Sequence, residues 1–280
     1  MRKIHTREIT EATATLCIEA NTNLRSDVQK GLTLSLARED NSRARRILKA
    51  LLDNADCARK FNLAICQDTG LPQVFVELGR EVMICGGDFL KALNKGIEQG
   101  YKKGRLRSSV VAHPLKRKAR PGFSPGVVDV DIVEGRRIKL TVLPKGFGCE
   151  NKSALRMFNP TEGIDRIKDF IVRKVKEAGP DACPPFMVGV GIGGGFERAA
   201  LLAKKALLRP INRRSADRSL AGLERQLLGE INRLGIGPMG LGGKTTCLGV
   251  SILAHPTHIA GLPVAVNISC HALRSASKRL

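Results

Sequence analysis

Residues 186–208, FMVGVGIGGGFERAALLAKKALL, decide the fold. An apolar run of strand length, Phe186 to Ile192, leads into Gly193-Gly194-Gly195 and then into apolar residues at helical spacing from about Glu197 to Leu208. A run so short and so apolar reads as a strand covered on both faces, and strand, glycine turn and helix in succession point to an α/β fold. CLGVSIL (247–253) and PVAVNIS (263–269) supply two more strands, and a second helix is predicted from about Asp217 to Leu234. Gly189-x-Gly191-x-x-Gly194 also fits the glycine pattern that cradles a dinucleotide pyrophosphate. Such a unit needs a second strand ending in an acidic residue about 20 residues on. The stretch there, RPINRRSADRS (209–219), is basic and turn-like, so the glycines read better as a tight strand-to-helix packing turn.

Outward from this centre the pattern stays mixed. Residues 6–22 (Ile9, Ala12, Leu16, Ile18) and 42–60 (Ala44, Ile47, Leu48, Leu51, Leu52) predict an amphipathic helical N-terminal region. Extended pieces FNLAICQ (61–67) and QVFVEL (73–78) flank the turn-prone DTGLP, and a helix is expected from Asp88 to about Gln99. VVDVDIV (127–133), Glu134-Gly135 and RIKLTVL (137–143) read as a β-hairpin. Asn159-Pro160-Thr161 opens the helix GIDRIKDFIVRKVKEAG, which Gly179-Pro180 ends. With no internal repeat and no low-complexity linker, the expectation is one mixed α/β (α+β) domain spanning residues 1–280, with a helical N-terminal region and a mixed sheet.

At 280 residues and 42% hydrophobic the chain can bury a large core. No apolar run approaches the roughly 18 residues of a membrane span, and the opening MRKIHTREITEATATLC lacks the uninterrupted apolar stretch of a signal peptide. The expectation is a soluble, cytoplasmic protein with no membrane association. The formal charge of +21 stands out, and its densest stretch is Lys102 to Arg120. With no Trp and one Tyr, stacking platforms for bases are scarce, so nucleic acid is not the expected partner. A solvated basic face, with one or two arginines turned inward toward an anionic ligand, accounts for the charge.

The eight cysteines are scattered and form no CxxC pair, unlike the framework of a small secreted domain. A thiolate that ligates metal projects from a loop, whereas a mid-helix cysteine packs as a small hydrophobe. Cys17, Cys57 and Cys85 fall in the second class. Cys66 before Gln-Asp-Thr-Gly, Cys183 before Pro-Pro and Cys270 before His271 fall in the first. Three separated loop thiols suit iron or zinc, and spacing alone does not choose.

Four segments, ICQDTGLP (65–72), KEAGPDACPPFMVGVGIGGGFE (176–197), GPMGLGGKTT (237–246) and HPTHIAGLPVAVNISCH (255–271), resemble the α subunit, or N-terminal half, of class I fumarases and the related L-tartrate dehydratases. The resemblance runs in order over nearly the whole chain. It implies a 4Fe-4S cluster held by Cys66, Cys183 and Cys270 with one iron left open, acting as a Lewis acid on a substrate hydroxyl. It implies catalytic roles for Asp68 and His258 and substrate-binding roles for Gln67, Arg107 and Gly148. It also implies a separate β subunit that completes the active site, a C4 dicarboxylate substrate, and an αβ heterodimer or a dimer of it.

Two stretches depart from the family. KGFGCENKS (145–153) carries Phe147 and Cys149 where KGGGSEN-like sequence is usual, and KARPGFSPG (118–126) replaces a stretch resembling NTGDNTP. Polar and acidic groups have there become basic and apolar ones. The leading expectation is hydration of fumarate to L-malate. L-tartrate dehydration, a basic nucleic-acid-binding role and a non-catalytic scaffold are the alternatives.

Overall fold

The computed structural model describes residues 1–280. Its first elements are β1 (Arg2–His5), α1 (Thr6–Thr22), α2 (Ser26–Arg38), α3 (Ser42–Phe61), β2 (Leu71–Gly79), β3 (Val82–Cys85) and α4 (Phe89–Lys103). Next come β4 (Val127–Val133), β5 (Ile138–Lys145), α5 (Phe147–Glu150), β6 (Ala154–Phe158) and α6 (Gly163–Ala178). The chain ends with β7 (Phe186–Gly194), α7 (Phe196–Ala206), α8 (Arg218–Arg233), β8 (Cys247–Thr257), β9 (Leu262–Ser269) and β10 (Ala276–Arg279). The mixed α/β class follows the sequence pattern. The elements fall into two compact units, residues 1–24, 55–147 and 274–280 in the first and residues 25–54 and 148–273 in the second. Both are stitched from separated segments, so no linker in the sequence signals them.

In the first unit a four-stranded sheet runs β10-β5-β2-β4, with a separate parallel pair of β1 and β3. Ile9 and Leu16 of α1 and Leu93 and Ile97 of α4 close over Val74, Val76, Leu140 and Val142 of the sheet. His5 caps α1 by accepting from the Arg7 N–H, and Glu8 returns a bond to the His5 N–H. Asp88 caps α4. The expected hairpin of residues 127–143 does not form. β2 lies between its two strands, parallel to β4 and antiparallel to β5. QVFVEL is buried along nearly its whole length and takes a central position, while residues 134–137 form a link wide enough to step across it. FNLAICQ is not extended either: α3 continues to Phe61, and Asn62 adopts a positive φ of 53°. Only Ile65 of this stretch is buried, its N–H bonded to the Asn21 carbonyl.

The second unit is built on the sheet β6-β9-β7-β8, with β7 parallel to β8 and antiparallel to β9. Val188 and Val190 of β7, with Val250, Ile252, Val266 and Ile268 beside them, pack against Ile167, Phe170 and Ile171 of α6 and Leu223, Leu227 and Ile231 of α8. The intervening Gly189 and Gly191 lie under α7. A Cβ on Gly189 would stand 2.1 Å from the Ala203 carbonyl oxygen, and one on Gly191 2.0 Å from that of Ala199. Two of the three glycines of the dinucleotide-like pattern are thus accounted for by close helix packing. No helix is long and apolar enough to cross a membrane.

Candidate functional site

In the first unit the turn Cys66–Gly70 joins α3 to β2. Both oxygens of the Asp68 carboxylate are engaged: Oδ1 accepts from the Gly70 N–H at 2.9 Å and Oδ2 from the Phe147 N–H at 2.8 Å. Asp68 therefore does cap its own turn, as an Asp in DTG commonly does, and it also fixes a segment 79 residues further on. The turn's carbonyls are held from behind. The buried Tyr101 hydroxyl donates to the Thr69 carbonyl at 2.7 Å, and the Arg274 Nη2 donates to the Asp68 carbonyl. Desolvation pushes the Tyr101 phenol up, so it stays a neutral donor. The Thr69 hydroxyl accepts from the Arg107 N–H at 3.1 Å, placing Arg107 beside the turn with its side chain exposed. Cys66 is half-buried, and its thiol donates to Gln67 Oε1 at 3.3 Å.

In the second unit Cys183 follows the short helical turn Pro180–Ala182 and has a left-handed backbone, φ 53°. Its carbonyl accepts from the His271 N–H at 3.3 Å, and lies 3.1 Å from the His271 Nδ1, which donates in the matching tautomer. These contacts bring the Cys183 and Cys270 turns together at one end of the sheet, both thiols half-buried. Gly148, in α5, belongs to the same neighbourhood. The Cys149 thiol donates to the Ala182 carbonyl at 3.3 Å, and Lys152 pairs with Asp181 at 3.2 Å. Glu150 accepts from Lys204 of α7 and, at 2.9 Å, from Asn267 of β9. The segment 148–153 is therefore clamped between the Cys183 turn on one side and α7 and β9 on the other.

His258 lies elsewhere. It occupies an exposed turn between β8 and β9, its Nδ1 accepting from the Ala260 N–H at 3.2 Å. Cys270 follows the far end of β9, and the strand's eight residues put roughly 24 Å between the two ends. Within one chain His258 does not meet Cys183 or Cys270.

The thiols separate by environment. Burial pushes Cys17 and Cys247 up to about 12, which keeps them protonated and poor metal donors. Cys57, expected to pack as a small hydrophobe, is instead exposed on α3. Cys66, Cys183 and Cys270 are half-buried on turns, the donor type and setting that an iron–sulfur cluster requires. In neither unit do three His, Cys, Asp or Glu side chains converge as a site for a single metal ion. Sequence reasoning missed Arg274, Tyr101 and Glu150.

One unit presents two half-buried turn thiols, and the other a hydrogen-bonded CQDTG turn that carries a third. Residues 10–279 match the fumarate hydratase (Fumerase) family. The chain belongs to that family. It is 40% identical over 282 residues to a Methanocaldococcus jannaschii protein described as a candidate L(+)-tartrate dehydratase subunit alpha, covering 98% of each chain. It is 32% identical over 270 residues to the L(+)-tartrate dehydratase subunit alpha of Escherichia coli strain K12, covering 95% of this chain and 89% of the relative. The protein of that name from strain UTI89 is 32% identical over 276 residues, covering 98% and 91%.

Proposed function

We propose that this chain is the α subunit of a hydro-lyase that adds water to, or removes it from, a C4 dicarboxylate. Cys66, Cys183 and Cys270 would hold its 4Fe-4S cluster. The reading is carried by the pairing of the Cys183 and Cys270 turns through His271 in a chain of the fumarate hydratase family. When bound, the cluster supplies an open iron that polarises the substrate hydroxyl.

The protein's own groups do the rest. Each Asp68 oxygen keeps a lone pair beyond its backbone contact, so the carboxylate takes or returns the substrate proton without releasing the turn. The Gln67 amide oxygen is occupied by the Cys66 thiol proton. With Cys66 serving as a thiolate ligand that proton would be absent, and the amide oxygen would be free to contact substrate. Arg107, anchored by its backbone to Thr69 with its guanidinium exposed, binds a carboxylate. Gly148 offers backbone beside the cysteine turns. His258 acts only where another subunit carries a substrate to it or brings it to a substrate, since its own chain holds it at the opposite end of β9.

The relatives' names designate α subunits, which supports a separate β subunit completing the active site, in an αβ pair or a dimer of such pairs. The family name supports fumarate and L-malate as substrates, and the relatives' names support L-tartrate. Turnover of fumarate, L-malate and both tartrate enantiomers, measured anaerobically on the chain alone and with its β subunit, tests the reading. The expected result is an inactive single chain and an active pair. Failure of the pair on all four compounds, or full turnover by the chain alone, overturns it.

A further inference from the structure

Arg274 is 3% exposed, and its Nη2 donates to the Asp68 carbonyl. Its Nε is buried with no acceptor, and no carboxylate pairs with it. A guanidinium carries a fixed charge, and a buried charge without a counter-ion is strongly unfavourable unless something else neutralises it. The Asp68 carboxylate does not do so, because its two oxygens are turned to the Gly70 and Phe147 N–H groups. The arginine is therefore an unsatisfied cation locked to the backbone of the CQDTG turn. A planar fork with a free Nε–H is the donor geometry that a carboxylate matches.

We propose that Arg274 is a second carboxylate-binding residue of this turn, taking one carboxylate of a C4 dicarboxylate while its Nη2 holds the Asp68 carbonyl. The inference rests on reading the turn as a dicarboxylate site. It assigns Arg107 and Arg274 to the two ends of one substrate, the exposed arginine to the outer carboxylate and the buried one to the inner. The counter-ion that the folded chain lacks is then the substrate itself. Dianions should bind far better than monoanions of similar size.

The test uses the purified full chain, without cluster, and titrates succinate, an unreactive dianion, against acetate as control. Arg274→Lys keeps the charge and removes Nε. Arg274→Gln removes the charge and keeps a donor. Thermal midpoints of all three proteins separate loss of binding from loss of fold. Succinate should bind the wild-type chain in preference to acetate, and each variant that stays folded should bind it about ten- to a hundredfold more weakly, the range of one charged hydrogen bond. Soaking guanidinium into an Arg274→Ala chain should restore part of the affinity, which a purely structural role would not allow. Succinate affinity equal to wild type in a folded variant overturns the assignment, as does a wild-type chain that does not distinguish succinate from acetate. Arg274-dependent succinate binding in a protein without lyase turnover would leave the assignment standing and remove the hydro-lyase reading. Turnover with unchanged binding in the variants would do the reverse.

Discussion

Replacing Glu150 by alanine should loosen α5 in a way that two measurements can read. Its carboxylate accepts from the Lys204 ammonium and the Asn267 amide, and the Glu150 and Lys204 side chains are only 20% and 19% exposed. Alanine leaves the ammonium without a counter-ion and removes one of the two acceptors of the Asn267 amide, which keeps the Ser153 hydroxyl at 3.0 Å. Asn267 has no slack, since its Oδ1 is already buried without a donor. One charged hydrogen bond in a mostly shielded setting is worth about 2 kcal/mol. At about 2–4 °C per kcal/mol for a chain of this size, the melting midpoint should fall by about 4–8 °C. Glu150→Gln keeps the acceptor for Asn267 and loses the charge on Lys204, so about half that fall is expected. The second reading is Cys149, 6% exposed and bonded to the Ala182 carbonyl, which should become accessible to a thiol reagent once α5 is released. Calorimetry and timed thiol labelling of the three proteins give both quantities. A Glu150→Ala chain that melts with wild type, or one that melts earlier while Cys149 stays equally slow to react, would refute the clamp.

Other expectations follow from single contacts. Gly191→Ala should cost about 3 kcal/mol or more, since its Cβ would meet the Ala199 carbonyl at 2.0 Å and only a shift of α7 makes room; solubility and melting of the variant check this. At pH 8, Cys57 should react with iodoacetamide first and Cys17 and Cys247 last, because burial pushes those two thiols up to about 12, and peptide mapping of labelled protein gives the order. Burial opposes ionisation of Asp27, but the hydrogen bond and charge of Arg25 and the Ile211 N–H outweigh it and hold the carboxyl below the ordinary carboxylate value. Its folded value lies below its unfolded one, so this contribution is complete above the ordinary carboxylate range and is lost as pH falls below about 4. Asp27→Asn should flatten stability against pH in that window and lower it at neutral pH, as urea titrations at pH 3 and pH 7 would record.

Much of the framework is legible in residue pattern because local rules and packing agree there. The β7, glycine turn and α7 sequence appears where apolar periodicity switches from strand to helix, and α1, α3, α4, α6 and α8 carry clear apolar stripes. Pairing is less legible. Nothing in VVDVDIV or RIKLTVL states that β2 intervenes, because strand order is set by which strand can be buried on both sides. Helix α2 escapes because SDVQKGLTLSLAR spreads two buried apolar residues, Val28 and Leu32, among Gly, Thr and Ser. The five-residue β6 and the shorter β1, β3 and β10 carry too little pattern to predict.

The candidate site divides in the same manner. Cys66, Cys183 and Cys270 are legible as turn thiols, and the structure gives them the half-buried settings that distinguish them from Cys17 and Cys247. The distance between His258 and the cysteine turns is a property of strand length and direction that motif reading does not weigh. Arg274 is one of 47 Lys and Arg residues and has no sequence mark of its own. Only burial against the Asp68 carbonyl singles it out.

The most direct measurement is iron and sulfide content, with the electron paramagnetic resonance spectrum, of the chain purified and reconstituted without oxygen beside Cys66→Ser, Cys183→Ser and Cys270→Ser. The account expects about four irons per wild-type chain and their loss in each variant, with the melting of the metal-free proteins unchanged. An iron-free wild-type chain with its fold intact, or a variant that keeps the full cluster, would contradict it.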